Sequence, residues 1–488
     1  MNNKKIKILL LQPPMHELSI CFGILEPYAL EVLSTAIQND GELRKIVEVK
    51  ILDLRIDPLK ILINLLQSEN INIVGITGIT IDQPKIIEIA TLIKILSPKS
   101  LVVVGGHHAT MLPKDYFIPA IDLIVRGPGH KVIIEIIKRK ITNDDDYSGI
   151  KGIIYNTGQL KFTECHGWSD NINEAPPISI NKTINKRYRW ISGHHINVVV
   201  TAQGCSGRCS FCACWPAMGG KYISKTPIEV FKEIVSTKEK GIFFGDDNTF
   251  QDVDRMKEVA KLIKKSNIKK RFYGYCRTDT IVKHPELFET WEKIGLMYLT
   301  VGFEDISDKG LEGLNKNSST TINENANTIL QKLGIINGAH LLINPNFTYD
   351  DFENLKNYIQ KLGIVEPVFP ILTPLPGTSL WKKYKKQVEL TPRQFFDFAH
   401  PIIKTELNIN EFYKLLFEQV KATYSKKRWL ISKSKSFMNK LSGANKYPLE
   451  QTTSANLFSV LFANFIVQKK YSKEKILSFQ KGMDRIKI

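Results

Sequence analysis

The chain has 488 residues, which is enough for two or three domains, and a formal net charge of +18. Its seven cysteines are an odd number and three of them fall within eight residues, so a disulfide framework is not expected and a reducing compartment, the cytoplasm, is. No apolar run reaches the roughly 18 residues of a membrane-spanning helix, and the first apolar stretch is too short for a signal peptide. The basic excess fits a partner of opposite charge, but no RNA-binding motif accompanies it, so nucleic acid is not expected.

The first 140 residues alternate apolar strand-like runs with helical patterns. Strands are predicted at 6–11, 47–52, 73–77, 101–104 and 123–125, and helices at 28–38, 58–66, 85–95 and 132–140. This alternation predicts a Rossmann-like, doubly wound parallel sheet, whose ligands lie beyond the carboxyl ends of the strands. Those ends carry Asp53, Thr77, Gly105, Gly106 and Gly127. Glycines there let a large flat ligand approach the backbone, although ordinary βα turns explain them equally well.

Residues 141–195 are predicted to form a connector. Asp144, Asp145 and Asp146 and the pair Pro176-Pro177 interrupt regular structure, and residues 152–158 predict a small hairpin.

Residues 196–385 resume the alternation of strands and helices. Strands are predicted at 198–201, 242–244, 272–275, 298–301, 339–343 and 369–372, with helices at 227–236, 252–265, 285–294, 322–333 and 350–362. Six such units predict a partial (β/α)6 barrel of the TIM type, with its site at the carboxyl ends of the strands. Polar residues follow those ends, among them Asp246, Asp247, Arg277 and Glu304. Each of them could instead be a helix cap or a solvated turn residue.

Residues 386–488 are predicted to be helical. The stretch 421–440 holds seven Lys or Arg residues and no acidic residue, with aromatic and aliphatic residues between them. Such a segment could touch a membrane surface, cover a substrate, or pack on the barrel as a solvated helix.

Three cysteines in the loop after the first barrel strand point to a metal centre. Cys205, Cys209 and Cys212 form a Cys-x3-Cys-x2-Cys set among glycines and serines. Iron in sulfur clusters is held by thiolates, and three ligands leave one corner of a four-iron cluster open for a small molecule. Two alternatives stay open at this point. The cysteines could be buried structural residues, or Cys214 could complete a zinc site.

With Phe211 just before the last cysteine, this loop resembles the signature of the radical S-adenosylmethionine (radical SAM) family. The resemblance implies a [4Fe-4S] cluster on Cys205, Cys209 and Cys212 and leaves Cys214 as a bystander. It also implies that SAM binds at the open iron. The residues it implies for SAM are Phe211, Asp246, Asp247, Arg277 and Glu304, with an aspartate on the ammonium group and Glu304 on the ribose.

The N-terminal block resembles the cobalamin-binding domain that precedes many radical SAM domains. Residues 25–31, 104–110 and 126–130 resemble its "EPLGLE", "GGxHxT" and "RGEGE" stretches, although Pro128 and His130 replace two acids in the last. The residues it implies for cobalamin are Asp53, Arg55, Thr77, Gly105, Gly106, His108 and Gly127.

Within this group the chain most resembles the hopanoid C-3 methylase type, through residues 241–247, 270–273, 277–279, 302–304 and 373–378. The resemblance implies a cobalamin-dependent methyltransferase that adds a methyl group to an unactivated carbon of a lipid or natural product. An external electron donor such as a flavodoxin or ferredoxin is implied as a partner, and peripheral membrane contact is a further expectation. The alternatives are a cobalamin radical SAM cyclase or rearrangement enzyme without methyl transfer, and a non-catalytic cobalamin or redox sensor.

Arg55 stands where many cobalamin domains carry the histidine of Asp-x-His-x-x-Gly. Arginine keeps its proton in proteins and cannot coordinate cobalt. We therefore predict that bound cobalt has no protein imidazole ligand. An EPR spectrum of the cob(II)alamin-loaded protein checks this prediction, since superhyperfine coupling to an imidazole nitrogen would contradict it.

Overall fold

The structure is a computed structural model that describes residues 5–15, 23–156, 159–164, 188–190 and 195–423. Most of the basic segment 421–440 lies outside these residues, as do Cys21, Cys165 and most of the predicted connector. Within the described part, no helix has the length and apolar character needed to cross a bilayer.

The first domain is a seven-stranded sheet with helices on its faces. Its strands are β1 (Ile6–Gln12), β3 (Val47–Asp53), β4 (Ile73–Thr77), β5 (Leu101–Gly105), β6 (Leu123–Val125), β7 (Ile153–Asn156) and β8 (Leu160–Phe162), in the order β3-β1-β4-β5-β6-β7-β8. Its helices are α1 (Tyr28–Asn39), α2 (Leu43–Ile46), α3 (Leu59–Ser68), α4 (Gln83–Leu96), α5 (His107–Met111) and α6 (Gly129–Thr142). Leu9, Leu10 and Leu11 are fully buried, as expected for a strand covered on both faces. The predicted doubly wound sheet is confirmed.

The predicted hairpin belongs to this sheet rather than to a separate connector. Strands β7 and β8 run antiparallel, and β7 pairs with β6. The sheet therefore continues past the predicted domain boundary at residue 140. A second small ribbon pairs β2 (Gly23–Ile24) with β9 (Arg189–Trp190).

The second domain is built on a five-stranded parallel sheet. Its strands are β10 (Ile196–Val199), β13 (Gly241–Phe244), β14 (Arg271–Arg277), β15 (Leu296–Glu304) and β16 (Ile336–Leu341), in that spatial order. Its covering helices are α8 (Pro227–Ser236), α9 (Val253–Ser266), α10 (Thr278–Lys283), α11 (Pro285–Ile294), α12 (Asp308–Gly313), α13 (Thr320–Leu333) and α14 (Tyr349–Leu362). Isolated parallel bridges from His340 to Val368 and from Ile343 to Ile371 add the sixth predicted strand. The predicted partial barrel is confirmed.

Side chains alternate between the two faces of the barrel strands. Phe244 and Phe272 stack 5.6 Å apart on the outer face, and both meet the buried Trp291 edge-on. This outer face forms the main core with the helices. Phe243 and Tyr273 point the other way, into the barrel, where they form a separate small cluster.

The chain beyond the barrel packs back onto the first domain. Helix α15 (Ser379–Tyr384) precedes the region predicted to be helical, and in the described part of that region the only α-helix is α16 (Ile409–Thr423), since residues 388–408 form irregular chain with one short 3-10 turn. The Arg393 guanidinium binds the Asp115 carboxylate at 2.7 Å, and Asp115 also contacts the His108 ring at 3.1 Å. These contacts fix the carboxyl edges of the two sheets opposite each other.

Candidate active site

The cysteine loop (residues 205–212) lies between two short antiparallel strands, β11 (Ala202–Gly204) and β12 (Tyr222–Ser224). Gly204 has a φ of +84°, and a Cβ at this position would collide with the Lys221 carbonyl oxygen. Arg208 donates from Nη1 to three consecutive carbonyls, beginning with that of Cys205, at 3.1–3.2 Å. The loop is therefore held by the close backbone approach at Gly204 and by the hydrogen bonds from the Arg208 side chain.

The three predicted iron ligands are free thiols with polar neighbours from other strands. The Asn248 Nδ2 atom lies 3.9 Å from the Cys205 sulfur, and the Arg277 Nη1 atom lies 3.7 Å from the Cys209 sulfur. Burial raises the pKa of both these thiols, and the nearby Arg277 partly offsets it. Metal binding would replace the thiol protons, because iron takes the thiolate.

Cys214, at the start of α7 (Cys214–Ala217), contacts the third ligand. A hydrogen bond with the Cys214 thiol lowers the pKa of Cys212 to about 7, whereas the same contact and burial raise that of Cys214. Among the described residues, no group of three or more His, Cys, Asp or Glu side chains is arranged so that it could hold a single metal ion. The fit of the loop to an iron–sulfur cluster rests on its donor chemistry, which is three thiols within eight residues.

Asp246, which was predicted to hold the SAM ammonium group, is engaged elsewhere. Its Oδ1 accepts from the backbone N–H groups of Thr201 and Ala202 at 2.6 and 2.9 Å, and its Oδ2 accepts from the Thr201 hydroxyl at 2.6 Å. The side chain is 2% exposed, and burial raises its pKa to about 6. The prediction for Asp246 is corrected: it anchors the chain entering the cysteine loop. Asp247 instead lines a cavity and accepts from the Gly204 N–H at 2.8 Å.

Arg277 and Glu304 lie at the barrel rim, but each is paired with another charge. Arg277 pairs with Asp279 at 3.0 Å, and Glu304 pairs with the buried Lys316 at 2.7 Å. Arg277 also donates to the Lys316 carbonyl at 2.7 Å, so the pairs form one network beside Cys209. The Glu304 carboxylate and the Lys316 ammonium group are both buried, and they lie side by side at the rim. Lys316 belongs to no recognisable motif, so it could not be selected from the sequence.

Asn248 is a second residue that sequence reasoning missed. It directly follows the Asp246-Asp247 pair, is 3% exposed, and has an Oδ1 atom that finds no hydrogen-bond partner among the described residues. A buried acceptor without a partner costs free energy unless a ligand supplies the donor. Its position beside the Cys205 sulfur makes it a candidate for binding a donor group at the cluster.

Phe211, which was predicted for SAM, packs beside Leu314, Leu372 and Leu380.

A cavity of about 440 Å³ lies between the two sheets and has walls from both domains. Four of the residues predicted for cobalamin line it, namely Thr77, Gly105, Gly106 and Gly127. Its inner part, between the first sheet and helices α1 and α6, is walled by Leu10, Leu30, Leu33 and Val103, and its outer part by Val200, Cys214 and Asp247.

Three predicted cobalamin residues do not line the described cavity. Asp53 is 2% exposed and pairs with Arg55 at 2.6 Å, and it accepts from the Tyr188 hydroxyl at 3.0 Å. His108 is fully buried between Thr80 and Asp115. All three side chains are engaged in contacts within the described residues, so their part in binding cobalamin stays a prediction that this cavity does not support.

His107, which stands at the variable position of the "GGxHxT" stretch, takes the place in the cavity wall that was predicted for His108. Its ring is hydrogen-bonded to the Ala213 backbone, and burial lowers its pKa. A residue of the first domain thus touches the segment that directly follows Cys212.

The cavity wall fits a large planar ligand. Gly106 has a φ of +98°, and a Cβ there would lie 2.7 Å from the Gly78 carbonyl oxygen, so the turn needs glycine and offers bare backbone to a ligand. The apolar inner part suits a flat aromatic base, such as that on the nucleotide arm of cobalamin.

Two family models match the chain. One, described as the B12 binding domain, matches residues 22–137, and the other, described as the Radical SAM superfamily, matches residues 199–359. The first range includes strands β3 to β6 of the first sheet, and the second includes strands β13 to β16 of the second sheet.

Curated relatives match over both domains. The chain is 24% identical over 428 residues to the hopanoid C-3 methylase of Methylococcus capsulatus, which covers 86% of this chain and 81% of the relative. It is 25% identical over 380 residues to the anaerobic magnesium-protoporphyrin IX monomethyl ester cyclase of Cereibacter sphaeroides, which covers 72% and 62%.

Solved structures share the fold. The cobalamin-dependent S-adenosylmethionine radical enzyme OxsB superposes with a TM-score of 0.68 at 14% identity, over 99% of this chain and 75% of that one. The radical S-adenosylmethionine methyltransferase TsrM from Kitasatospora setae superposes with a TM-score of 0.62 at 19% identity, over 79% of each chain.

The anchoring role of Asp246 predicts a loss of cluster rather than a loss of ligand affinity. An Asp246→Asn protein keeps one acceptor oxygen in place of two, so charge-assisted bonds worth about 1.5–3 kcal/mol are lost. We expect iron and sulfide content after anaerobic reconstitution to fall to less than about half. Asp254→Asn is the matched control, since its side chain is 97% exposed. Full iron content in both variants would contradict the anchoring role.

Proposed function

We propose that this protein, whose chain joins a B12-binding domain to a radical SAM domain, is a methyltransferase acting on an unactivated carbon of a lipid or natural product. As a radical SAM enzyme it takes a [4Fe-4S] cluster, SAM and cobalamin as cofactors and a small molecule as substrate. The observation that carries the proposal is the shared cavity. The cobalamin turn at Gly106 and His107 and the segment after the cluster ligands at Cys214 form walls of one space.

When bound, the reduced cluster and SAM supply a carbon radical that removes a hydrogen atom from the substrate, and cobalamin supplies the methyl group. The chain's own part is to hold and orient these groups and to exclude water. Cys205, Cys209 and Cys212 would hold the cluster, with Arg277 donating toward the Cys209 sulfur.

The SAM site is proposed on residues around the loop. The acceptor oxygens of Asn248 and Asp247 suit the ammonium group of SAM, because both lie next to the loop that carries Cys205. The Glu304–Lys316 pair suits the ribose hydroxyls, since it offers an acceptor and a donor together. Phe211 is held beside Leu314 and Leu372 and would border the adenosine.

Cobalamin is proposed to bind along the first-domain wall of the cavity, over Thr77, Gly105, Gly106 and Gly127, with His107 added. The domain division stays a proposal, with a cobalamin-binding domain over residues 1–140 extended by the hairpin, a connector to 195, a radical SAM barrel over 196–385 and a C-terminal region.

An external flavodoxin or ferredoxin is proposed as the electron source. Arg208 is exposed at the outer side of the loop, beside Trp215, and places a cation where an acidic donor protein could dock. Five free thiols and an oxygen-sensitive centre favour the cytoplasm. Peripheral membrane contact through residues 421–440 stays a hypothesis on a segment that is mostly outside the described residues.

Methyl transfer can be tested without knowing the substrate. The reconstituted, reduced protein is expected to convert SAM into 5′-deoxyadenosine and to carry radiolabel from the SAM methyl group in its cobalamin fraction. Cys212→Ala should abolish 5′-deoxyadenosine formation because it removes a cluster ligand. Cys276→Ala, a cysteine 4% exposed on β14, is the matched control that should keep it.

The outcomes separate the candidate functions. Formation of 5′-deoxyadenosine without label on cobalamin would favour a cyclase or rearrangement enzyme, as the likeness to the named ester cyclase allows. If the fully reconstituted protein forms no 5′-deoxyadenosine, the remaining candidate function is that of a non-catalytic cobalamin or redox sensor.

Asn248→Ala is expected to weaken SAM binding about tenfold, because it removes an acceptor from a charge-assisted bond of about 1.5 kcal/mol or more. Equilibrium dialysis with labelled SAM measures this, and equal iron content shows that the loop is intact. Asn346→Ala, at an exposed asparagine, is the control. Unchanged SAM affinity with a full cluster would show that Asn248 has no part in binding SAM.

A further inference from the structure

The barrel interior has a packed floor and an open upper layer. Register places Val198, Phe243, Tyr273 and Tyr298 side by side across β10, β13, β14 and β15, all on the inner face. These side chains belong to one small cluster in which Phe243 and Tyr273 are each only 6% exposed. They close the bottom of the barrel, as layered side chains do in barrel cores.

Tyr275, two residues further along β14, is 36% exposed although it stands in an interior strand of a parallel sheet. Both faces of such a strand are normally covered, so its exposure marks an unfilled space in front of it. Its ring meets Phe243 edge-on at 5.5 Å and 76°, which fixes it as a rigid wall. Thr300 faces it from the next strand.

This open layer, here called the chamber, adjoins the interdomain cavity. The Thr249 N–H donates to the Tyr275 carbonyl at 3.1 Å, and Asp247, two residues before Thr249, lines the cavity. Tyr28 of α1, Val200 and Ile223 continue the same wall. The chamber therefore lies beside the cluster loop and opens toward the cobalamin turn.

The two cations at the rim of the chamber are already paired with acids. Arg277 pairs with Asp279, and Lys316 pairs with Glu304, at the rim directly above it. Asp247 has no cation paired with it among the described residues and is the group proposed above for the SAM ammonium. Lys131 belongs to helix α6, in the wall proposed for cobalamin.

The titratable rings that face the chamber are neutral near pH 7. Burial raises the pKa of Tyr28, and burial lowers the pKa of His107 and of His340. A carboxylate or phosphate placed here would lose its hydration without meeting an unpaired cation from the part of the chain that the structure describes, which costs several kcal/mol.

We infer that the chamber takes a neutral, mainly apolar substrate with a ring system that packs against Tyr275, and that it rejects acidic substrates. This inference rests on the proposed function for the identity of the site, and it narrows the substrate class of that site. The polar atoms that remain, such as the Tyr275 hydroxyl and the Gln203 side chain, suit a hydroxyl or carbonyl group on the substrate.

A matched pair of probes tests the charge preference. The full chain is reconstituted with cluster and cobalamin, so that the cobalamin cavity is filled. It is then dialysed against 2-naphthol or 2-naphthoate in the presence of SAM, and the cluster is left oxidised so that SAM stays intact. We expect 2-naphthol to bind about tenfold more tightly or better, because 2-naphthoate carries an uncompensated charge. Equal or tighter binding of 2-naphthoate would overturn the inference.

Variants test the wall itself. Tyr275→Ala is expected to weaken 2-naphthol binding about tenfold, and Tyr275→Phe, which keeps the ring, should stay within about threefold. Tyr349→Ala is the control, since Tyr349 is 52% exposed at the start of α14. If the Tyr275→Ala protein loses its cofactors, the inference is judged on the other two results. These are the affinity of the Tyr275→Phe variant for 2-naphthol and the comparison of the two probes in the unaltered protein. Unchanged affinity in a fully loaded Tyr275→Ala protein would overturn the inference.

The two proposals fail in different experiments. Loss of the proposed function would appear as missing 5′-deoxyadenosine or missing label on cobalamin, in assays that contain no probe. Failure of the chamber inference would appear in dialysis of a protein that passes those assays.

Discussion

The buried carboxylate of Asp246 is the interaction on which the rest of the site depends. It lies at the carboxyl end of β13 and accepts three hydrogen bonds from Thr201 and Ala202, which lead from β10 into the cysteine loop. A carboxylate that is 2% exposed is costly unless such donors compensate it, so the bonds define one position for the loop entrance. The same strand end continues into Asp247 and Asn248, whose positions beside the thiols follow from that anchor.

A second constraint places the carboxyl edges of the two sheets opposite each other. Arg393 and Asp115 join the chain beyond the barrel to the first domain, and the Asp115 carboxylate is shared with the buried His108. Parallel sheets place their ligand sites at the carboxyl ends of strands, so opposing two such edges creates one cavity with two sites. The contact of His107 with the Ala213 backbone shows how closely the two edges approach.

Much of the fold could be predicted from the sequence, because interior strands of parallel sheets are continuous apolar runs and their helices begin at recognisable residues. Pro227, after Thr226 and two residues before Glu229, marks a helix start that both pattern and structure place at the same residue. The cysteines were found because their spacing is itself the chemical signal. Spacing identifies a strand end but not the direction of a side chain, so it could not show that Asp53, Arg55, His108 and Asp246 do not line the cavity. Asn248, Lys316 and His107 were missed because each acquires its role only from the elements that pack beside it.

In the proposed function, the charges at the barrel rim serve the cofactors and not the substrate. Arg277 lies between the Cys209 sulfur and the Asp279 carboxylate, and Lys316 lies next to it, bound to Glu304. Cations near thiolates stabilise a negatively charged cluster, while the acids keep those cations in place and cancel their field further away. The space in front of Tyr275 is consequently left without an unpaired cation among the described residues, although the chain as a whole carries +18. Overall charge thus says little about what the site accepts, because selectivity is decided by which charges remain unpaired within a few ångströms of the substrate.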